Sequence, residues 1–252
     1  MESSGGTISF TMQLYIIRHA QSTNNALGDP RDRDRDPMLT EIGERQADIL
    51  AHHLGNGIEL VPPSSTTHAG QGQAYQFTHL YCSPMWRSLQ TAAPLGRALG
   101  LTPEVWVDIH EQGGIYLDHG DGRGLVGYSG TTRQEIQARF PQFVLPEDIT
   151  EQGWWNKGYE DWPACHQRAV RVAEKLRQRA RCAPNGHERV AIVSHGGFID
   201  ALLKALFNQS EDRAVFYYHY NTAISRIDFH QDGYLAVRYL NRVDHLPPGL
   251  VT

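Results

Sequence analysis

With 252 residues, 40% of them hydrophobic and 20% charged, the chain has enough apolar material for a sizeable core, which excludes an intrinsically disordered polymer. Its 23 Lys and Arg against 28 Asp and Glu leave a formal net charge of -5, the opposite of the balance that sequence-independent nucleic-acid binding requires. No apolar run approaches the roughly 18 residues of a membrane helix, and the polar start MESSGGTISF lacks a signal-peptide pattern. Three widely spaced cysteines, Cys82, Cys165 and Cys182, suggest neither a disulfide framework nor a metal knuckle, so a reducing cytoplasm is the expected setting.

The length allows one or two domains, and a single domain over residues 1–252 with an insertion is the simpler reading. Residues 14–17 are short and uniformly apolar, the pattern of a strand buried on both faces, and they end at Arg18-His19. Thr40 is a good N-cap for a helix whose apolar positions Ile42, Ala47, Ile49, Leu50 and Leu54 follow the helical period and which stops before Gly55. Residues 56–73, rich in Pro, Ser and Gly, predict an irregular loop. A second strand at 77–82 runs into Ser83-Pro84, an N-cap followed by proline at the first helical position, which puts Arg87 in the opening turn of a helix. Residues 105–109 read as a third strand, followed by Glu111 in a glycine-rich stretch. From about 113 to 162 the pattern weakens to scattered aromatics and one helix at 132–140, which reads as an inserted lid. A long amphipathic helix at 161–180 precedes a fourth buried strand at 189–193, and this strand delivers Ser194-His195-Gly196-Gly197 to a helix running through Phe207. Residues 224–229 and 234–239, joined by Asp232-Gly233, predict a hairpin. Strand and helix alternate, so the fold class is α/β, with a mainly parallel sheet, right-handed crossovers and an antiparallel edge.

In such sheets ligands bind beyond the carboxyl ends of the strands. Here those ends carry Arg18-His19, Arg87, Glu111 and His195, beside helix N-termini suited to an anion. Arginine offers phosphate a planar, permanently charged fork. A neutral histidine, His19 or His195, can attack phosphorus, and two guanidinium charges disfavour its protonation. Glu111 can protonate a leaving oxygen and then deprotonate water. Each dipeptide alone reads more readily as a solvated strand end; their joint occurrence in chain order points to a phosphate site. Asp108, Asp118 and Asp121 are the runners-up to Glu111 as proton donor. The RDRDRD run at 31–36 reads as a self-neutralising solvated loop. Arg31, Arg33, Arg35, Arg123 and Arg133, with the aromatics Tyr116, Tyr128, Trp154 and Trp155, are the candidates for substrate choice; Arg133, near the start of the lid helix, is the one set apart for a substrate carboxylate or second phosphate, and Trp154-Trp155 reads more readily as lid core. His52, His53, His68, His79 and His187 show no zinc-binding spacing, and no metal is expected.

These segments together resemble the histidine phosphatase superfamily, in its phosphoglycerate-mutase-like branch. RHAQSTNN at 18–25 is similar to the RHG signature with Ala20 in the glycine position, CSPMWRSLQTA at 82–92 to the SP-x-x-R-x-x-QTA segment, HEQGG at 110–114 to the acid-bearing segment, and VSHGG at 193–197 to the second histidine motif. The resemblance spans about residues 12–245. It implies a three-layer α/β/α sandwich with a lid, His19 as the nucleophile that becomes phosphohistidine, and Glu111 as proton donor. It further implies that Arg18, Arg87 and His195 hold the phosphoryl group, with Asn25 and the Gly196 N–H as additional donors. Glycolytic mutases dependent on 2,3-bisphosphoglycerate carry a TGW-type stretch and an ERHYG-type acid segment, where this chain has ALGDPRDRDRDPMLTEIG and HEQGGIY. Hydrolysis of small phosphorylated metabolites is therefore favoured. A mutase, which would use 2,3-bisphosphoglycerate as primer, is the alternative, and a non-catalytic phospho-ligand or protein-binding module the lower one. No cofactor, nucleic acid or membrane is expected as partner, and a homodimer is left open.

Overall fold

The run FTMQLYIIR forms β1 (Phe10–Arg18) because its β-branched and aromatic side chains suit a pleated surface buried on both sides. The computed structural model describes residues 10–59, 73–183, 188–212 and 214–252. After β1 come α1 (Glu41–Asn56), β2 (Ile58–Glu59), β3 (Gln73–Ala74), β4 (His79–Cys82), α2 (Trp86–Leu99) and β5 (Glu104–Val105). The lid segment holds β6 (Tyr116–Asp118), β7 (Leu125–Gly127) and α3 (Arg133–Arg139). The chain then continues through α4 (Trp162–Cys182), β8 (Glu188–Ser194), α5 (Gly196–Leu206), β9 (Ile224–His230) and β10 (Leu235–Arg242).

Six strands form one sheet in the order β10-β9-β1-β8-β4-β5. β1, β8, β4 and β5 are parallel; β9 and β10 add the antiparallel edge as a hairpin. Alternate side chains of β1 sort the helices into layers. Tyr15 and Ile17 pack with Leu50, Leu54, Leu89 and Leu95 of α1 and α2, whereas Met12, Leu14 and Ile16 pack with Val172 and Leu176 of α4 and Phe198 and Leu202 of α5. The result is an α/β/α sandwich, with each fully buried aliphatic side chain contributing about 1.5–3 kcal/mol of transfer free energy. No helix among the described residues is long and apolar enough to cross a membrane.

Several local expectations need correction. The α1 N-cap is Thr40, whose hydroxyl accepts from Gly43 N at 3.0 Å, but the helix passes through Gly55 and closes at Gly57. The supposed irregular loop contains paired strands at its two ends, β2 and β3; residues 60–72, including His68, lie outside the described residues, as does His187. β2 is anchored by buried Glu59, which takes Tyr15 Oη at 2.8 Å, Tyr239 Oη at 2.7 Å and Arg226 Nη1 at 2.7 Å. Residues 106–109 leave the sheet as a single turn, Val107–Ile109, because only Glu104 and Val105 find partners on β4. Finally, α2 begins at Trp86 with Met85 as N-cap, so Ser83-Pro84 lies before the helix.

Candidate active site

The parallel register of β1 and β8 places Arg18 opposite Ser194, and the ladder extends one residue further through His19 N to Ser194 O at 2.8 Å. His19 and His195 therefore leave the sheet side by side, with ring centroids 5.0 Å apart. His19 is buried; its Nδ1 sits 2.7 Å from the Ala20 carbonyl, which can only accept, so Nδ1 carries the ring proton. Nε2 is left with its lone pair, and Arg87 Nε donates to it over 3.2 Å. Burial, then the charges of Arg87 and Arg18, hold His19 well below the usual histidine range against the opposing pull of the Ala20 carbonyl. The ring is a neutral base with its nucleophilic nitrogen turned toward a guanidinium.

His195 is fully buried and pushed in the same direction by burial, then by Arg87, His19, His110 and Arg18. Its Nε2 lies 2.7 Å from Ser83 Oγ, which itself accepts from Met85 N at 3.3 Å. With one lone pair taken by Met85 N, the Ser83 hydroxyl finds its acceptor in Nε2 when the ring hydrogen sits on Nδ1, a buried atom with no partner among the described residues. Arg18 shows the same feature. Its Nη1 donates to the His219 carbonyl at 2.5 Å while Nε is buried without an acceptor. A Cβ on Gly196, the first residue of α5, would lie 3.6 Å from that Nε. Buried donors without acceptors are costly unless something supplies an oxygen.

Arg87 reaches the site from the first turn of α2, where its charge opposes the helix dipole. Asp36 compensates: its Oδ1 takes Trp86 N at 3.2 Å and faces Arg87 Nη1 at 3.5 Å, and its Oδ2 takes Thr131 Oγ1 at 3.3 Å. Burial pushes this carboxyl up to about 7 despite Arg87. The expectation of a wholly solvated, self-neutralising RDRDRD loop fails here, because its last aspartate is turned inward and serves α2 and the lid.

Glu111 closes the other side. Its Oε1 accepts from Phe198 N at 3.0 Å and Gln112 N at 2.8 Å, and its Oε2 from Gly197 N at 3.3 Å, so the carboxylate caps α5. A Cβ at residue 197 would come within 2.8 Å of Oε1, which is why glycine stands there. Gly113 and Gly114 adopt φ of +94° and +70°, turning the chain back under the lid, where a Cβ at 114 would meet Trp155 at 2.3 Å. The segment is fixed from behind. Arg168 donates to the His110 carbonyl at 2.9 Å and pairs with Glu160 at 2.5 Å, and Ser194 Oγ donates to Ile109 O at 2.8 Å.

Above these groups lies a cavity of about 280 Å³ lined by Arg87, Glu111, Gly197 and Tyr116, with Arg33, Arg35 and Phe216 among the remaining walls. His19 and His195 are buried and do not line it; Arg87, a lining residue, joins the cavity to His19 through Nε. Other candidates fall elsewhere. Arg133 spends its guanidinium on lid carbonyls, Nε on Ile149 O at 2.8 Å and Nη2 on Pro146 O, so the expected substrate contact is replaced by a structural one. Asn25, by contrast, is tied to the end of β1: its Oδ1 accepts from Ser22 N and Oγ, both at 3.0 Å, and from Asn221 Nδ2 at 3.3 Å, an amide that also donates to the His19 carbonyl at 2.9 Å. Asp108 pairs with Lys175 at 2.8 Å, Asp121 with Arg123 at 2.7 Å, and Asp118 accepts from Gly120 N. Trp154 and Trp155 are buried lid core. Among the described residues, no group of three or more His, Cys, Asp or Glu could hold a metal ion.

The family model of the histidine phosphatase superfamily (branch 1) matches residues 14–242. The chain belongs to this superfamily. No curated protein matches it. Among solved structures, it is similar to an Entamoeba histolytica phosphoserine phosphatase in complex with 3-phosphoglyceric acid, at 18% identity, covering 94% of this chain and 100% of that one with a TM-score of 0.57. It is also similar to Bacillus stearothermophilus YhfR, at 20% identity over 93% and 98% with a TM-score of 0.57. A mycobacterial glucosyl-3-phosphoglycerate phosphatase in complex with VO3 aligns at 21% identity over 92% and 99%, with a TM-score of 0.55. At these identities the likeness is one of fold.

Around these site residues, sequence reasoning missed Asp36, Ser83, His219 and Arg168. Ser83 and Asp36 sat in plain view as a presumed helix cap and a presumed solvated acid. Arg168 carried no signal at all, since one arginine in an amphipathic helix is ordinary.

Proposed function

We propose that this protein hydrolyses small phosphomonoesters through a phosphohistidine on His19. The observation that carries this reading is the set of buried donors, Arg18 Nε and His195 Nδ1 without acceptors and Arg87 Nε on the His19 lone pair, gathered around one neutral imidazole. Such donors suit a phosphoryl group.

In the first step His19 Nε2 attacks phosphorus in line, the bond from phosphorus to the ester oxygen breaks, and Glu111 gives that oxygen a proton. The positive charge that develops on the imidazole is met by the Ala20 carbonyl at Nδ1. Arg18, Arg87, His195 and the Gly196 N–H bear the negative charge on the phosphoryl oxygens, the task a metal performs in other phosphoryl transfers. In the second step Glu111, now a carboxylate, takes a proton from water, whose oxygen displaces Nε2 from phosphorus and releases inorganic phosphate. A cavity of about 280 Å³ favours a metabolite over a protein side chain presented on a folded surface.

Phosphate release from a panel of sugar phosphates, phosphoglycerates and aryl phosphates tests the reading, with His19→Ala as control. Release by the native protein and none by the variant is expected. Isomerisation of 3-phosphoglycerate, primed with 2,3-bisphosphoglycerate and faster than phosphate release, would make the enzyme a mutase instead.

A further inference from the structure

The RDRDRD run at 31–36 was expected to neutralise itself, but several of its charges are committed, one of them to Asp29 just before it. Asp29 takes Arg31, with Nη2 to Oδ2 at 2.5 Å. Asp34 spends Oδ1 on Asp36 N at 3.2 Å, while Asn24 brackets its backbone through Asp34 O at 2.7 Å and Asp34 N at 2.9 Å. Asp36 is turned in toward Arg87. Arg33 and Arg35 lie on the cavity wall, and neither makes an ion pair or side-chain hydrogen bond with any described residue, although Asp32 and Asp34 stand next to them in the chain. Glu135 feels Arg35, but its carboxylate is committed to capping α3 through Thr132 N and Oγ1, both at 2.8 Å.

One of the two is held by its surroundings. The Arg35 guanidinium lies 5.3 Å from the centre of the Tyr128 ring, a cation–π contact that holds it against the lid. Arg33 lies close enough for its charge to be felt at Arg87 and at Tyr116 across the cavity. The wall therefore presents Arg33, Arg35 and Arg87 against the single carboxylate of Glu111, with Asp36 neutralising only Arg87 from behind.

We infer that Arg33 and Arg35 form a second anion subsite, so that the preferred substrate is a small phosphomonoester bearing a further carboxylate or phosphate. The inference rests on the proposed phosphatase reading of the same cavity: the reacting phosphoryl group occupies the donors around His19, and the second anion lies outward of Arg87. Of the arginines offered for substrate choice, it keeps Arg33 and Arg35, which line the cavity, in place of Arg133, which does not.

The test is competition against p-nitrophenyl phosphate hydrolysis at fixed ionic strength. Matched inhibitors differ by one charge: 3-phosphoglycerate against glycerol 3-phosphate for a carboxylate, and fructose 1,6-bisphosphate against fructose 6-phosphate for a phosphate. The doubly anionic member of at least one pair should inhibit at least tenfold more tightly, and whichever pair separates identifies the second group. In R33A/R35A that ratio should collapse toward one; a ratio taken within a single preparation is insensitive to the fraction folded. Equal inhibition within both pairs, or a ratio unchanged in R33A/R35A, overturns the subsite and leaves the phosphatase reading standing. No hydrolysis of p-nitrophenyl phosphate by the native protein overturns both.

Discussion

Arg87 Nε donates to His19 Nε2 over 3.2 Å, so a guanidinium expected to grip phosphoryl oxygens rests on the lone pair that must attack phosphorus. An incoming phosphoryl group has to take over this hydrogen bond, turning a ground-state contact into one that strengthens as charge moves onto the oxygens. Replacing Arg87 by Ala should lower kcat/KM by about 10²–10³, comparable to loss of one oxyanion donor. Lysine should recover only part of it, because a point charge cannot serve both His19 and an oxygen. Steady-state kinetics on both variants check this, and a fall in Tm without a fall in kcat/KM would contradict it.

Asp36→Asn retains the acceptor for Trp86 N but removes the charge behind Arg87. A drop in kcat/KM of about tenfold is expected, at the low end of a lost charge-assisted contact of about 1.5–3 kcal/mol. The native carboxyl, raised to about 7, loses its proton as the pH passes that value, whereas the amide cannot. Any change in kcat/KM near pH 7 that originates at Asp36 should be missing from the variant, which a pH–rate profile measures directly.

Glu111→Gln keeps an oxygen to cap α5 but cannot move a proton. We expect kcat to fall by about 10²–10⁴ for alkyl phosphates, the usual range for a lost acid–base group, and much less for p-nitrophenyl phosphate, whose leaving group needs little protonation. Capping should weaken by no more than about 2 kcal/mol, readable as a small shift in Tm. Equal losses on both substrate types would remove Glu111 from the proton-donor role.

His19, His110 and His195 are buried and held well below the usual histidine range, chiefly by burial. Unfolded, they take up protons below about pH 6.5; folded, they do not until the pH is much lower. The unfolded state therefore binds more protons in acid, and stability present above about pH 6.5 should decline as the pH falls beneath it. Asp36 acts in the opposite sense, since its raised value makes the folded state the better proton binder between about 4 and 7. Three groups outweigh one, so Tm should fall from pH 7 to pH 5, and the fall should steepen in Asp36→Asn. Thermal melts across that range decide it.

The sheet was legible because β1 and β8 are continuous apolar runs with no competing period, and because polar residues mark their carboxyl ends. Arg18, His19, Arg87, Glu111 and His195 could be gathered for the same reason: the chain topology alone brings strand ends together. What escaped notice depends on side-chain direction. Whether Asp36 faces water or Arg87, and whether Arg133 faces the cavity or the Pro146 carbonyl, is decided by loop backbone that no periodicity encodes. Ser83 was misplaced because Ser-Pro is a strong local helix-start signal, overridden here by the pairing of Ser83 N with Val193 O at 3.1 Å, which holds the residue in line with β4.

Covalent catalysis in this site depends on one nitrogen, Nε2 of His19. Native protein mixed with a ³²P-labelled monoester that it hydrolyses, and quenched within its first turnovers, should yield protein-bound label that is labile in acid, stable in alkali and mapped to the peptide containing residue 19. His19→Ala, shown to be folded by its Tm, should yield none. Label that survives acid, maps to another residue or persists in the folded variant would contradict covalent catalysis at His19.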